Sequence, residues 1–515
     1  MKTSHATGVT GEGQVLFCTP FGYMFRDAAN SPGCLLPATQ RTIDGLLSLG
    51  TAMADPGARD HPTTELDSHI PAGFTYFGQF IDHDLTARTD REAGDGGLSI
   101  SDGRGNVNPG FAPLPPAEVV TRVFNARRPQ LDLDSVYGDG PSLIDAGAAQ
   151  DGVVTRSDHF YKDLRLLVER GPGRYLDLPR RDGVAQIADE RNDENLIISQ
   201  LHATMLAFNN KVFDGLHGST VQGRYSQARR LVRWAYQYAV VNDFLMRVCD
   251  PSIVEDAVMN GPRFYSPAAN GGAVFMPLEF SVAGFRFAHS MIRPFYKLND
   301  DATRDINDIL EPRRDRGDDS LLGVDRRLKP KNVVAWRNFV DLRADVFGGP
   351  QSTRLIDPRL ALGLFRLGFD GLPDTAMMSH LTQRNLLRGH LFSIPTGQAV
   401  AEQMGIQPLS EPEVLGDDDN IAQAIRTGGF EKRTPLWYYI LQEAKVQAGG
   451  RTLGAVGSRL VAETIVGLLK ADPNSYLRNQ HHPAVTGIGI AITAGDSTTV
   501  VSSLADIIRF ADVRK

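Results

Sequence analysis

The segment 72–86 reads AGFTYFGQFIDHDLT and gathers a glutamine, two aspartates and a histidine beside four aromatic residues. On a helix, Gln79, Asp82 and His83 stand at positions i, i+3 and i+4 and therefore share one face. Asp84 projects about 100° around the helix from His83. The segment predicts a helix that presents Gln79, Asp82 and His83 to one ligand and Asp84 to a second. The alternative is an amphipathic helix that ends in a solvated Asp-His-Asp tip.

Outside this segment, helical periodicity dominates the chain. Apolar residues recur at spacings of three and four, whereas strand-like alternation is rare and short. Helices are predicted at 197–212, 226–248, 434–446 and 453–469. The polar stretch 87–118 is predicted to be an irregular loop. The charged stretch 299–331 is predicted to be a solvated excursion, that is, a segment that leaves the core and lies in solvent. The sequence therefore predicts a mainly α-helical fold, one large helical domain with long loops and little β-structure.

Composition excludes several classes of protein. The chain has 515 residues, 54 Lys and Arg against 61 Asp and Glu, and a net charge of -7, so no nucleic-acid-binding surface is indicated. Cys18, Cys34 and Cys249 lack the close spacing of zinc or redox motifs and allow at most one disulfide. The polar N-terminus shows no standard signal peptide, and no apolar run approaches the roughly 20 residues of a membrane span. We therefore expect a protein without a membrane span, either cytoplasmic or secreted by a route that needs no signal peptide.

Three further segments place ionisable or amide side chains at helical spacing. Arg191 and Glu194 stand at i, i+3 at the start of a helical run, so they are predicted to share a face. The segment FRFAHSMIRP sets His289 among apolar residues, and QRNLLRGH places Asn385 and Arg388 on one helical face. Each segment also has a purely structural interpretation. Arg191 and Glu194 could form only an ion pair along a helix, His289 could be a core histidine with its hydrogen bonds satisfied, and Asn385 could be a helix cap.

In this order, the four segments resemble the animal-type haem peroxidases, the peroxidase-cyclooxygenase superfamily, including its bacterial members. The resemblance extends over nearly the whole chain. FGYMF at 21–25 and the stretch 69–86 resemble the family's opening segments, NARRPQLDLDSVYG at 125–138 its calcium loop, and 503–510 its closing helix. Four motifs in order are more specific than one. The resemblance implies a haem peroxidase catalytic domain at 71–515 and an N-terminal segment at 1–70 that packs on it.

The resemblance implies a haem b held between His83 and His289. His289 is similar to the family's proximal iron ligand, and Asn385 to the residue that accepts its Nδ1 proton. His83 resembles the distal acid-base catalyst, and Arg191 the arginine that stabilises developing negative charge. Gln79 resembles the glutamine that lines the family's halide site, which makes halides candidate donors.

Other positions complete the implied haem site. Asp82 and Glu194 match the carboxylates that become ester-bonded to haem methyl groups in vertebrate members, so ester-linked haem is compatible with the sequence. Asn195 stands where one vertebrate branch has a methionine, and the sulfonium link of that branch cannot form here. Arg286 belongs to the same implied haem-binding set, and Arg388 is expected near a propionate, because arginines pair well with carboxylates.

The loop that resembles the calcium loop carries Asp132 and Asp134 at alternate positions, a spacing that lets two carboxylates converge on one cation. Calcium takes six to eight oxygen ligands, so these residues, Asp84 and backbone carbonyls could form a site. Arg128 stands where the family usually has a threonine. This departure removes a hydroxyl ligand, and we expect a calcium site of lower affinity than a complete family site.

The resemblance therefore implies a haem-dependent peroxidase that reduces hydrogen peroxide and oxidises small electron donors, with halides as candidates and a role in the response to oxidative stress. One alternative is a fatty-acid dioxygenase or cyclooxygenase-like enzyme. Such an enzyme needs a tyrosine three residues before the proximal histidine, and Arg286 stands there. A second alternative is an adhesion protein on a peroxidase scaffold, suggested by the Arg-Gly-Asp triplet at 316–318. The retained haem-site residues favour catalysis over both.

Overall fold

The computed structural model describes residues 19–55, 66–87, 99–141, 160–171, 175–217, 220–311, 321–342, 349–368, 372–373, 375–479 and 488–511. The Arg-Gly-Asp triplet at 316–318 and Cys18 lie outside these residues. Within the described ranges, no helix has both the length and the apolar character that a membrane span requires.

Helices form most of the regular structure. In the described part of the chain, the α-helices are α1 (Arg26–Ala29), α2 (Gln40–Ala52), α3 (Gly73–Leu85), α4 (Pro116–Arg122), α5 (Asp134–Tyr137), α6 (Leu196–Gly215), α7 (Val221–Ala239), α8 (Met246–Val248), α9 (Pro251–Asn260), α10 (Leu278–Val282), α11 (Ile306–Leu310), α12 (Leu381–Leu391), α13 (Gly397–Gln403), α14 (Glu411–Leu415), α15 (Asp419–Gly428), α16 (Leu436–Ala448), α17 (Ala455–Ala471) and α18 (Leu504–Phe510). The four helices predicted from periodicity coincide with α6, with α7 and its continuation through α8, with α16 and with α17.

The strands are short and contribute little to the core. They are β1 (Thr19–Gly22), β2 (Asp67–Pro71), β3 (Phe124–Asn125), β4 (Tyr161–Lys162), β5 (Arg165–Leu166), β6 (Glu169–Arg170), β7 (Leu176–Asp177), β8 (Arg180–Arg181), β9 (Val184–Ala185), β10 (Met276–Pro277), β11 (Phe295–Lys297), β12 (Thr303–Asp305), β13 (Ser352–Arg354), β14 (Ile490–Ala494) and β15 (Ser497–Val501). β1 pairs in parallel with β10 and antiparallel with β3, and the remaining strands form two-stranded pairs. The prediction of a mainly α-helical fold with little β-structure is confirmed.

The helix α3 is enclosed by the rest of the fold. Its large apolar side chains are at most 3% exposed, namely those of Phe74, Phe77, Phe80, Ile81 and Leu85. A helix that is apolar on most sides is expected in a protein interior. His83 and Asp84 are also buried, with 4% and 0% of their surface exposed. The alternative of a solvated Asp-His-Asp tip is therefore wrong, and two ionisable side chains are held inside the protein.

The N-terminal region packs against the helix that carries Asn385. Gly50 of α2 lies so close to α12 that an added Cβ would be 3.0 Å from the Cα of Gln383. Thr382 Oγ1 donates a hydrogen bond of 2.7 Å to the Gly50 carbonyl. Farther along the chain, Tyr23 Oη donates to the carbonyl of Phe392 at 2.6 Å. These contacts brace α12 from the side of the N-terminal region.

One predicted loop contains more structure than expected. The stretch 299–331 was predicted to be a solvated excursion because of its charged composition. Its described residues include β12 and α11, and Ile306 and Ile309 of α11 are 1% and 0% exposed. The prediction of a solvated excursion is therefore wrong for this part. Periodicity over so short a helix is too weak to separate it from its polar flanks.

Candidate functional site

The distal side of the site joins α3 to the start of α6. Gln79 Nε2 donates to Glu194 Oε1 at 2.6 Å, and Asn195 Nδ2 donates to Gln79 Oε1 at 2.9 Å. The same Glu194 oxygen lies 3.6 Å from His83 Nε2. Asn195 also caps α6, because its Oδ1 accepts from the backbone amides of the first helical turn. These bonds place Gln79, His83 and Glu194 beside one another.

The predicted helical face shared by Arg191 and Glu194 is wrong. The residues Glu190–Asp193 form a 3-10 turn, and α6 begins only at Leu196. The N-cap residue Asn195 has extended backbone angles, φ -138° and ψ 161°, which separate the turn from the helix. A plain ion pair along one helix is excluded for the same reason.

Arg191 is instead held by an aspartate two residues before it. Its Nε and Nη2 donate to Asp189 Oδ1 and Oδ2 at 3.0 and 2.6 Å, and Nη2 also donates to the His83 carbonyl at 2.8 Å. Asp189 Oδ2 lies 2.5 Å from Nη2 of the buried Arg127. Burial acts to raise the pKa of Asp189, but the two guanidinium groups outweigh it and hold that pKa well below its usual range. The charge of Arg191 is thus fixed in place against the distal helix.

Asp189→Ala is expected to lower the free energy of unfolding by about 3 to 5 kcal/mol, because it leaves two guanidinium groups without their shared buried carboxylate. Urea unfolding measures this loss. The matched control is Asp214→Ala, whose partner Arg165 is 45% exposed, and such surface pairs contribute about 0 to 1 kcal/mol. Equal losses in the two variants would contradict the structural role of Asp189.

His83 contacts a second buried histidine through an asparagine. Its Nδ1 lies 2.8 Å from Asn192 Oδ1, and Asn192 Nδ2 lies 2.9 Å from His202 Nδ1. Burial, and next the charge of Arg191, lower the pKa of His83 below its ordinary value. A neutral imidazole is the form that can accept a proton.

The proximal side is built from a 3-10 turn and α12. His289 ends the turn Gly284–His289, and Asn385 Nδ2 lies 2.9 Å from His289 Nδ1. In this arrangement Asn385 Oδ1 accepts from Arg286 Nη1 at 3.3 Å. If a neutral His289 bound iron through Nε2, its Nδ1 would carry the proton, and a half-turn of the Asn385 amide would offer Oδ1 to that proton. Asn385 lies within α12 and is therefore no helix cap.

Positive charge surrounds His289. Burial lowers its pKa to about 3, and the guanidinium groups of Arg286, Arg384 and Arg388 act in the same direction. The Trp437 ring packs edge to face at 6.4 Å between ring centroids, and its Nε1 donates to the Arg286 carbonyl at 3.1 Å. A neutral imidazole beside three guanidinium groups could bind a metal cofactor that carries carboxylates.

The two histidines belong to one site. The charge of Glu194 acts to raise the pKa of both His83 and His289. Gly78 of α3 lies so close to the proximal turn that an added Cβ would be 3.9 Å from the Cβ of Ala288. Several polar side chains keep accessible surface inside this otherwise buried region, namely Gln79, Asp82, Arg191, Glu194, Arg286 and His289. This donor set fits a haem, with an imidazole for iron and cations for propionates.

A separate acidic cluster lies behind the distal helix. Carboxylate oxygens of Asp84, Asp132 and Asp134 lie within 4.8 Å of one another, and all three residues are buried. Burial, and then the charge of Asp132, raise the pKa of Asp84 to about 7, and burial likewise raises the pKa of Asp134. Asp84 accepts from the backbone amides of Leu133 and Ser135 at 3.2 and 3.4 Å. The loop is thereby tied to the residue next to His83.

Arginines contact this cluster. Arg128 Nη2 lies 3.0 Å from Asp132 Oδ2, and the Arg128 backbone amide donates to Asp134 Oδ2 at 3.0 Å. A guanidinium has no lone pair for a cation, so Arg128 neutralises the cluster and is no metal ligand through its side chain. Among the described residues, Oδ1 of Asp132 and Oδ1 of Asp134 accept no hydrogen bond. Buried oxygens of this kind suit calcium.

Four residues of this site are not predicted by any pattern in the sequence, namely Arg127, Asp189, Asn192 and His202. Asp189 and Asn192 lie in an irregular turn, where no period marks them. His202 lies on an apolar helix and has the pattern of a core histidine. The one local feature that points to these residues is the run of charged residues around Arg191, which is predicted to start a helix and forms a 3-10 turn instead.

Comparisons with known proteins agree with this architecture. Residues 115–314 match the sequence model of the family described as animal haem peroxidase. A peroxidase-like protein from Margaritifera margaritifera is 23% identical over 321 residues, 55% of this chain and 39% of that protein, so the match spans about two fifths of the relative's length.

Solved structures show the same fold at low sequence identity. Peroxidase A from Dictyostelium discoideum aligns with a TM-score of 0.61 at 13% identity, over 99% of this chain and 96% of that chain. A fatty acid alpha-dioxygenase from Oryza sativa aligns with a TM-score of 0.58 at 14% identity, over 98% of this chain and 80% of that chain. The family match over residues 115–314 and the shared fold confirm the resemblance seen in the motifs: this part of the chain matches the animal haem peroxidase family, and the chain as a whole has the fold of these peroxidase and dioxygenase structures.

Proposed function

We propose that the protein is a haem-dependent peroxidase that reduces hydrogen peroxide and oxidises small electron donors. One observation carries the proposal: a neutral, buried His83 and a fixed Arg191 lie at the same site as His289, within reach of the charge of Glu194. Acid-base chemistry and a localised positive charge are what heterolytic cleavage of a peroxide requires.

The chain's own residues divide the work as follows. His83 Nε2 takes a proton from hydrogen peroxide and returns it to the departing oxygen. The Arg191 guanidinium stabilises the negative charge that develops on the oxygens, and Asp189 keeps it aimed. A haem bound at His289 would supply the two electrons that cleavage of the O–O bond requires. Arg286 and Arg388 would hold its propionates, and Gln79 keeps Glu194 in position.

The experiment compares peroxidase and oxygenase activity in the purified protein loaded with haem. We expect a Soret band that responds to hydrogen peroxide, together with oxidation of a small aromatic donor. Bromide and thiocyanate test halide oxidation at the position of Gln79. Oxygen uptake with an unsaturated fatty acid should stay at background, because Arg286 cannot carry a tyrosyl radical. Robust fatty-acid oxygenation without peroxide-dependent donor oxidation would reject the proposal.

Covalent attachment of haem through Asp82 and Glu194 is a further part of the proposal. Both side chains keep accessible surface beside the buried His83. After peroxide treatment, acid-acetone extraction is expected to leave haem on the parent chain. The double variant Asp82→Asn with Glu194→Gln should release its haem completely, as should parent protein that has met no peroxide. Complete extraction from turned-over parent protein would contradict the ester links.

We also propose that Asp84, Asp132 and Asp134 bind calcium in competition with the Arg128 guanidinium. Arg128→Thr is expected to raise calcium affinity at least about tenfold. A tenfold change in affinity corresponds to about 1.4 kcal/mol of binding free energy. This is less than the roughly 4 kcal/mol of interaction energy between two unit charges 4 Å apart in an effective dielectric of 20. Calorimetric titration measures both affinities.

Chelation provides the matching stability measurement. At a calcium concentration of about 100 times Kd, the bound ion adds about 2.7 kcal/mol, which a strong chelator should remove. Asp132→Asn is the control that should be insensitive to calcium. Absence of calcium binding in both the parent and Arg128→Thr would show that the cluster is purely structural. For the domain organisation, we propose a catalytic unit at 71–515 and an N-terminal segment at 1–70, whose described residues pack on that unit.

A further inference from the structure

Asn192 connects two buried histidines through a single side-chain amide. Its Oδ1 lies 2.8 Å from Nδ1 of His83, and its Nδ2 lies 2.9 Å from Nδ1 of His202. Asn192 and His202 are 0% exposed, and His83 is 4% exposed. We propose that Asn192 is a positioning residue that holds His83 in the tautomer protonated on Nδ1, and that the same amide holds His202 in the tautomer protonated on Nε2. The catalytic part of this inference rests on the proposed function, whereas the tautomers can be measured without it.

The chemistry of a primary amide dictates the first half of the proposal. A carbonyl oxygen only accepts, so the hydrogen bond from His83 requires a proton on Nδ1. Nε2 then keeps its lone pair, and Nε2 is the atom that lies 3.6 Å from Glu194 Oε1. The opposite amide orientation would donate to Nδ1 and leave the proton on Nε2. His83 could then accept no proton from a peroxide at that atom.

His202 is linked to the same choice, because each orientation of the Asn192 amide requires one particular tautomer of His202. The Asn192 NH2 group donates to His202 Nδ1, so His202 carries its proton on Nε2. Burial lowers the pKa of His202 to about 4, which keeps the ring neutral with one donor and one acceptor nitrogen. Its Nε2 makes no hydrogen bond to the residues that the structure describes. The tautomers of His83 and His202 are therefore coupled through one amide.

The backbone around Asn192 fixes the position of its side-chain amide relative to Arg191 and α6. Asn192 lies in the 3-10 turn Glu190–Asp193, where the side chain of Asp189 accepts from the Arg191 backbone amide at 3.0 Å. His202 lies on α6, whose start is fixed by its own cap at Asn195. One turn thus positions both the fixed guanidinium of Arg191 and the amide that orients His83.

The direct test is 15N NMR of the full chain with labelled histidine, in which protonated and unprotonated ring nitrogens have separate shifts. Spectra are recorded on the haem-free protein and on the diamagnetic ferrous carbonyl form, with signals assigned from His83→Gln and His202→Gln. We expect His83 to be protonated on Nδ1 and His202 on Nε2. In Asn192→Asp the carboxylate accepts from both rings, so His83 should keep its tautomer while His202 switches to Nδ1.

Kinetics then separate positioning from simple support of the fold. Asn192→Leu removes both hydrogen bonds at similar volume, and we expect mixed His83 tautomers with a peroxide rate about 10- to 100-fold lower, the usual effect of losing an outer hydrogen-bond partner. Asn192→Asp should restore the rate to within a few-fold of the parent. The matched control is Asn210→Asp on α6, which bonds the backbone of Leu166 and should change neither tautomer.

Either of two NMR results would overturn the inference: a parent His83 protonated on Nε2, or a His202 tautomer that does not change in Asn192→Asp. An unchanged peroxide rate in Asn192→Leu would overturn its catalytic part. If the parent itself does not react with peroxide, the proposed function fails, and the tautomers still decide whether Asn192 orients His83. The assigned parent spectrum provides this decision even if the Asn192 variants do not fold.

Discussion

His289→Ala is expected to lose coordination to iron and to lower haem affinity by at least about 100-fold. Loss of an outer partner of a metal ligand alone costs about 10- to 100-fold, and this change removes the ligand itself. His289 is neutral at ordinary pH because burial and the nearby guanidinium groups lower its pKa to about 3. It is therefore ready to bind metal without first losing a proton. The absorption spectrum and the haem content after desalting measure the effect.

The matched control is His390→Ala. His390 is a buried histidine on α12, the helix that carries Asn385, with 4% of its surface exposed, and burial lowers its pKa to about 4. It has no role in the proposed site, so haem content should stay near that of the parent. Unchanged haem content and spectrum in His289→Ala, or an equal loss in His390→Ala, would reject the assignment of His289 as axial ligand.

His83→Ala and Arg191→Gln are each expected to slow the bimolecular reaction with hydrogen peroxide by about 10² to 10³-fold while haem remains bound. The first variant removes the proton acceptor, and the second removes a fixed charge that donates to the His83 carbonyl. Stopped-flow absorbance measures the rates, and haem content is determined in parallel.

Arg191 also belongs to the buried ion-pair network with Asp189, so loss of stability must be separated from loss of charge stabilisation. Arg191→Lys keeps the positive charge and should recover part of the rate. Arg165→Gln removes a guanidinium from an exposed pair with Asp214 and should leave the rate unchanged. Rates within a few-fold of the parent in both His83→Ala and Arg191→Gln would exclude these residues from the reaction with peroxide.

Much of the fold followed from local pattern. The long helices α6, α7, α16 and α17 were predictable because an apolar stripe at helical period must be buried against another element. The short helix α11 and the 3-10 turn before α6 were not predictable in this way. Four or five residues carry too little periodicity, and a single cap such as Asn195 can separate a turn from a helix.

The sequence by itself indicated the family resemblance, the helical class and the residue types that a haem site needs, because those depend on the order and spacing of side chains along the chain. The roles assigned to those residues remain predictions. Only the tertiary structure decided that Asp189 holds Arg191, that Arg128 points at Asp132, and that Asn192 joins His83 to His202. These contacts join side chains whose orientation no period encodes. A buried charge or amide must find its partner wherever packing brings one, since leaving it unpaired costs several kcal/mol.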